Sequence, residues 1–265
     1  MNDSLFSVEG QVVLVSGGSR GIGKAIAAGF VERGATVIIT GRNEETIASA
    51  VAEIGEAATG QVCDVARKAD IDALVESVQA KHQRIDTLVN VAGVNRRKAA
   101  LDVSEDDYDY ILDINLKGAF LLAQAVGKHQ VARKSGCQIN IASLNTDRPL
   151  VNVAPYAMSK AGLSHMTRSM AAEWGPHGVR VNALAPGFIL TDLTQQLWSL
   201  ESMKEWGMAN TPQRRLGKPE DMVGTSIFLA SAASEFMTGQ TLYVDGGFTA
   251  GWNWPIPTDG GQGNQ

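Results

Sequence analysis

Short runs of β-branched and aliphatic residues alternate along this chain with longer stretches in which apolar residues recur every three or four positions. The first pattern reads as buried strand and the second as amphipathic helix. Strands are predicted over 12–15, 36–40, 60–63, 87–90, 138–141, 179–183 and 241–244. Helices are predicted from Gly21 through Arg33, then over 44–54, 68–81, 104–133, 156–174 and 219–230. Ile71, Leu74, Val75 and Val78 show the helical spacing, and Ser104 with Asp107 three residues on reads as an N-cap. No repeat or linker interrupts the alternation. It predicts one α/β domain over residues 1–265, a doubly wound parallel sheet of the Rossmann type with helices on both faces.

In such a sheet ligands bind beyond the carboxyl ends of the strands, where strand order reverses. The first of those ends carries Ser16-Gly17-Gly18-Ser19-Arg20-Gly21-Ile22-Gly23. Glycines there let the backbone turn and approach a ligand closely, and the helix that follows aims free N–H groups at a phosphate. The spacing is G-x-x-x-G-x-G rather than G-x-G-x-x-G, so the turn alone fits either a phosphate cradle or a plain connection. The other strand ends bring Gly41-Arg42, Asp64, Ala92-Gly93, Ser143 and Pro186-Gly187 to the same edge.

Composition narrows the function classes. The chain has 265 residues, a net charge of −5 and two cysteines, Cys63 and Cys137. The acidic balance argues against sequence-independent nucleic-acid binding, and two cysteines give no disulfide framework. Residues 1–10 lack a basic and apolar leader, and no apolar run approaches a membrane span. The expectation is a cytoplasmic protein with no membrane or nucleic-acid partner and no metal site.

Tyr156 and Lys160 lie four apart on a predicted helix and share a face. A phenol titrates near 10, and a neighbouring ammonium lowers that value, which makes the pair a usable acid–base device. Ser143, just past the fifth strand, can orient a substrate oxygen. Asn115 sits inside the long predicted helix despite poor helix propensity, in a place to hold a water linking Lys160 to solvent. Each residue also has a plain structural reading, and joint placement at one sheet edge favours chemistry.

With these motifs in order, the chain resembles the short-chain dehydrogenase/reductase family over nearly its whole length. The resemblance rests on the glycine turn, Asn90-Val91-Ala92-Gly93, Asn115, Ser143, Tyr156-Ala157-Met158-Ser159-Lys160, Pro186-Gly187 and Asp245-Gly246-Gly247. It implies a seven-stranded sheet of order 3-2-1-4-5-6-7, a nicotinamide cofactor and a catalytic tetrad of Asn115, Ser143, Tyr156 and Lys160. The implied cofactor residues are Gly17, Ser19, Arg20, Gly21, Ile22, Gly23, Arg42, Asp64, Val65, Asn90, Ala92, Gly93, Tyr156, Lys160, Pro186, Gly187, Ile189 and Thr191. Ser16 stands for the family's usual threonine and keeps the hydroxyl. Val91 stands for an asparagine and affects only that local hydrogen bond.

The second strand ends in Gly41-Arg42-Asn43 with no carboxylate to meet ribose hydroxyls. Arg42, with Arg20, suits a 2′-phosphate, so NADP(H) is expected over NAD(H). Arg96 and Arg97 fit either a carboxylate clamp or exposed loop charges; Asn145 and Trp206 are further candidate substrate contacts. Around 95–97 and 186–196 the chain is most similar to the gluconate 5-dehydrogenase group of sugar-acid and polyol reductases, which implies a small hydroxylated substrate. Trp198, Met203, Trp206 and Met208 instead fit an apolar lid over a cyclic ketone, or plain packing. The alternatives are a 3-oxoacyl thioester reductase and, in another class, a non-catalytic NADP-binding regulatory protein. Further expectations are a lid at about 189–210, a tail at 251–265 whose Trp252 and Trp254 cover an active site or pack on the last strand, and a homotetramer.

Overall fold

The aliphatic runs become strands β1 (Val12–Ser16), β2 (Thr36–Gly41), β3 (Ala58–Val62), β4 (Thr87–Asn90), β5 (Gly136–Ile141), β6 (Val179–Pro186) and β7 (Thr241–Val244) in the computed structural model, which describes residues 4–251. All neighbouring pairs are parallel, in the order β3-β2-β1-β4-β5-β6-β7. This is the expected order. Between the strands run α1 (Gly21–Val31), α2 (Glu44–Ile54), α3 (Lys68–His82), α4 (Glu105–Leu112), α5 (Ala119–Arg133) and α6 (Ala154–Trp174). They are followed by α7 (Gln195–Trp198), α8 (Glu201–Asn210) and α9 (Val223–Ala230).

Both faces of the sheet are covered, because successive side chains of a strand point to opposite sides. Leu14 and Leu88 enter a core shared with Ile71 and Leu74 of α3, Leu122 of α5 and Leu163 of α6. Val13, Val15 and Ile39 enter a second core with Ile26 and Phe30 of α1, Ile47 of α2 and Ile227 of α9. The switch point between β1 and β4 opens the cleft at their carboxyl ends.

Three local features differ from the expected boundaries. β3 starts at Ala58, ahead of position 60, because Ala58 pairs with Val37. The helix expected over 104–133 is broken by a π-helical turn, Asp113–Gly118. Such a turn inserts a residue into the α-helical register and is common at functional sites. Here the chain presses on the loop after β3: a Cβ on Gly118 would stand 2.5 Å from the Val65 carbonyl oxygen. Ser104 does cap α4, in a reciprocal box with Asp107.

The third difference is the segment rich in Trp and Met, which folds as α7 and α8. Its two ends are pinned together, since Leu190 donates to the Gly217 carbonyl at 2.9 Å and Gly217 to that of Phe188 at 2.8 Å. Phe188 is the hub of an aromatic cluster, with ring centroids 5.2 Å from Trp198, 5.6 Å from Trp206 and 4.8 Å from Phe248. Trp252 and Trp254, and with them the tail expectation, lie outside the described residues. No helix among the described residues is long and apolar enough to cross a membrane.

Candidate active site

The glycine turn closes on itself so tightly that side chains are excluded. A Cβ on Gly23 would lie 2.2 Å from the Gly17 carbonyl oxygen, and one on Gly17 would lie 2.9 Å from the Ala92 backbone. Gly17 and Gly21 also have φ of 66° and 50°, which glycine adopts without strain. α1 starts here without a side-chain cap. Its first N–H groups have no partner inside the helix and face a cleft of about 480 Å³. A cradle too narrow for any Cβ, at an uncapped helix N-terminus, fits the pyrophosphate of a dinucleotide.

The cleft brings together Gly17, Ser19, Arg20, Gly21, Ile22, Gly23, Arg42, Asp64, Val65, Ala92, Gly93, Pro186, Gly187, Ile189 and Thr191, all expected from the sequence, with Ser143, Tyr156 and Lys160. Asn90 sits beneath it, buried and bonded to Asn140 Oδ1 at 3.0 Å. Arg20 and Arg42 are exposed and make no ion pair among the described residues. No carboxylate stands at the tip of β2: Asn43 is spent capping α2 through Thr46 N–H at 2.8 Å, and Glu44 and Glu45 belong to the first turn of that helix. Asp192, Leu193 and Thr194 also line the cleft. The Thr-x-x-Thr spacing of Thr191 and Thr194, a hydroxyl turn, was the available signal for them.

The loop after β4 forms the wall between glycine turn and catalytic groups. The Ser16 hydroxyl accepts from Val91 N–H at 3.1 Å and Ala92 N–H at 3.3 Å. Asn115, fully buried in the π-helical turn, accepts from Val94 N–H at 2.8 Å and donates to the Val94 carbonyl at 2.9 Å and to Ser159 Oγ at 3.1 Å. Those bonds use both amide protons, so the Asn115 side chain holds the wall in place.

Lys160 is buried, and its ammonium donates to the Ile141 carbonyl at 2.6 Å. Burial pushes its pKa down from 10.5 to about 8. Tyr156 lies on the same face, with Lys160 Nζ 5.7 Å from the ring centroid. Contrary to the expected effect of the ammonium, the phenol pKa is raised. Burial is the largest cause, opposed by a hydrogen bond with Ser143 and the charge of Arg97. The Lys160 ammonium donates to a carbonyl, and the influences that oppose the rise come from Ser143 and Arg97.

Of the expected substrate contacts, the structure separates Arg97 from the rest. Arg96 pairs with Asp107 at 3.0 Å and lies 4.0 Å over the Tyr110 ring. Lys98 takes the other oxygen of the same carboxylate, whose pKa the Lys98, Ser104 and Arg96 bonds hold well below the usual range. Arg97 makes no ion pair among the described residues. Asn145 is buried behind Ser143, and Trp206 belongs to the aromatic cluster.

The lowered pKa of Lys160 has a stability consequence. Between about pH 8 and 10.5 the unfolded chain holds a proton that the fold has released, so stability rises with pH across that window. Below it the buried charge is a constant burden. Lys160→Met should therefore raise the urea midpoint at pH 7, with the gain shrinking as pH passes from 8 towards 10.5. A gain that stays constant from pH 7 to 10 would mean that Lys160 does not titrate there.

The family described as enoyl-(acyl carrier protein) reductase matches residues 17–249. Gluconate 5-dehydrogenase of Gluconobacter oxydans is 39% identical over 251 residues, covering 92% of this chain and 97% of that protein. A 3-oxoacyl-[acyl-carrier-protein] reductase of Chlamydia pneumoniae is 39% identical over 244 residues, covering 91% and 97%. A crystal structure of a gluconate 5-dehydrogenase from Burkholderia cenocepacia in complex with NADP and tartrate superposes with a TM-score of 0.90 at 39% identity, covering 94% of this chain and 98% of the other.

Proposed function

We propose that this chain, which belongs to the short-chain dehydrogenase/reductase family, is an NADP(H)-dependent enzyme acting on the carbonyl or secondary alcohol of a small hydroxylated acid such as gluconate. The observation that carries the reading is the meeting of Tyr156, Ser143 and Lys160 in one cleft with the glycine turn. A nicotinamide bound there supplies or accepts the hydride. Tyr156, kept protonated by burial, has the proton that a substrate carbonyl oxygen needs in reduction, and its phenolate accepts one in oxidation. Ser143 donates to that oxygen and shares its charge. Lys160, positive below about pH 8, stabilises negative charge at the phenol oxygen and donates to the hydroxyls of the adjoining ribose.

A carboxylate substrate is supported by Arg97, an exposed cation whose charge reaches Tyr156. The sugar-acid relatives and the tartrate in the Burkholderia structure agree with it. The acyl-carrier relative keeps a thioester reductase as the second reading. A carrier would need a basic docking patch, for which the sequence offers Arg133-Lys134; that reading is weakened because Arg133 is held by Asp86 at 3.1 Å and the pair lies at the amino-end edge of the sheet, away from the cleft. In a panel followed at the NADPH absorbance, gluconate and keto-gluconates should turn over and 3-oxoacyl thioesters should not. Arg97→Met should raise KM for the acids about tenfold or more, the worth of one charge-assisted bond, and leave KM for an uncharged polyol unaffected. Equal losses on acid and polyol would remove Arg97 from substrate recognition.

NADP preference is supported by Arg42 and Arg20 and by bound NADP in neighbouring structures. Gly41→Asp with Arg42→Ile should shift the ratio of kcat/KM towards NAD by at least about tenfold. The new Cβ meets Ser19 Oγ, a rotatable hydroxyl, at 3.1 Å, so the turn can accommodate it. A parent enzyme that already prefers NAD would overturn the assignment.

The reading extends to a homotetramer. Tyr108, Phe120 and Met158 are exposed on α4, α5 and α6 beside a groove lined by Val131, Met166, Met170 and Trp174. Exposed apolar side chains on three neighbouring helices, interspersed with Gln124, Lys128, His165 and Glu173, fit a subunit contact. Light scattering at micromolar concentration should give four times the chain mass, and a monomer mass would exclude it.

A further inference from the structure

Ser143 Oγ accepts two hydrogen bonds from one residue. The backbone N–H of Asn145 reaches it at 3.1 Å and the side-chain Nδ2 at 3.3 Å. A hydroxyl has two acceptor sites and one proton, so both acceptor sites are filled. The orientation of the Asn145 amide is itself fixed, because its Oδ1 accepts from Leu150 N–H at 2.9 Å and a backbone N–H can only donate. Hydrogen bonds thus run one way, from Leu150 N–H to Asn145 and from Asn145 to Ser143. The remaining Ser143 proton has only the cleft side, where Tyr156 lies.

We propose that Asn145 is a positioning residue that fixes the direction of the Ser143 hydroxyl, making it a donor towards Tyr156 and the substrate oxygen. This replaces the expected substrate contact for Asn145, which is buried behind Ser143 with all its side-chain bonds directed to protein. A serine free to rotate would alternate between donating to and accepting from the phenol. Donation favours the phenolate and the alkoxide-like oxygen of the transition state, whereas acceptance favours neither. The Ser143 bond lowers the phenol pKa, as a donated bond does. The other groups facing the phenol are Lys160 on its own helix and Arg97 from the loop after β4.

The role of Ser143 rests on the proposed oxidoreductase reading, and the test separates the two. Full-length protein carrying Asn145→Asp, Asn145→Ala, Ser143→Ala and each pair is labelled with ζ-13C tyrosine, with Tyr156→Phe to assign the resonance. The Tyr156 titration then needs no substrate. Aspartate keeps the bond from Leu150 but cannot donate to Ser143, so the hydroxyl turns away from the phenol. Tyr156 should titrate at higher pH in both Asn145 variants, more in the aspartate. In the Ser143→Ala background Asn145→Ala should add no shift, and Asn145→Asp only that of its charge. Oxidation of D-gluconate with NADP should lose kcat by about 10²-fold in Asn145→Asp, as when an oxyanion donor is removed. Its rising pH limb should move up with the NMR titration. If Asn145→Asp does not fold, Asn145→Ala carries the same readings. An unchanged Tyr156 titration in Asn145→Ala, or full additivity with Ser143→Ala, would overturn the proposal. Absence of gluconate turnover by the parent enzyme, together with the expected NMR shifts in the variants, would overturn the substrate reading alone.

Discussion

The paired hydrogen bonds between the Asn115 amide and the backbone of Val94 are the constraint on which the site depends. They join a fully buried side chain to a loop that has no regular partner of its own. A buried amide or peptide left without a bond costs about 1–3 kcal/mol, so the arrangement is held as a unit or lost as one. The same loop is held at its start by the Ser16 hydroxyl and farther on by the Asp107 carboxylate, through Arg96 and Lys98. The glycine turn lies on one side of this wall and the phenol of Tyr156 on the other. A ligand that spans both therefore meets a fixed distance between its phosphate cradle and the catalytic hydroxyls.

Burial then sets the protonation states. Lys160 keeps an ammonium in the interior by donating to the Ile141 carbonyl, yet desolvation still brings its pKa to about 8. Tyr156 is moved the opposite way, because for a phenol the charged form is the deprotonated one. Near pH 7 the phenol is neutral and the amine is still an ammonium, the first shift moving the phenol titration farther from that pH and the second bringing the lysine titration closer to it. That is the combination reduction needs at its start, and oxidation must draw the phenol proton off. Ser143 and Arg97 are the opposing influences that keep the phenol from being inert.

Periodicity was enough to read most of the sheet and its helices, since most strands are short aliphatic runs, whereas β3, Ala-Thr-Gly-Gln-Val, and the short α7 and α8 carry weaker patterns. The glycine turn, Ser143, Tyr156 and Lys160 were also legible, because their chemistry is tied to spacing along the chain. The π-helical turn at Asp113–Gly118 was not, since one inserted residue leaves the apolar recurrence nearly intact. Its trace was Asn115 itself, a residue with little reason to stand inside a helix. Arg96 and Arg97 could not be told apart either. They are adjacent and identical, and only the position of Asp107 on α4 decides which one is consumed. Asn145 looked like a substrate contact for a similar reason, because nothing in the sequence says that Leu150 N–H fixes its amide.

Selective neutralisation has a consequence for ligand choice. The chain carries a net charge of −5, so most of its surface repels small anions. Among the cations near the cleft, Arg96 and Lys98 are cancelled by Asp107, whereas Arg20 and Arg42, which line it, and Arg97, whose charge reaches Tyr156, make no ion pair among the described residues. In an acidic protein, positive charge left unpaired along a cleft concentrates anions there, and low-dielectric walls strengthen the field inside. The two clusters also divide the work. The Arg20 and Arg42 pair faces the phosphate end of the glycine turn, and Arg97 faces the phenol. Neither can substitute for the other, because the wall held by Asn115 lies between them. A phosphorylated nucleotide and a carboxylate can thus share one cleft without competing for the same cation, and their screening by salt follows the exposure of each arginine separately.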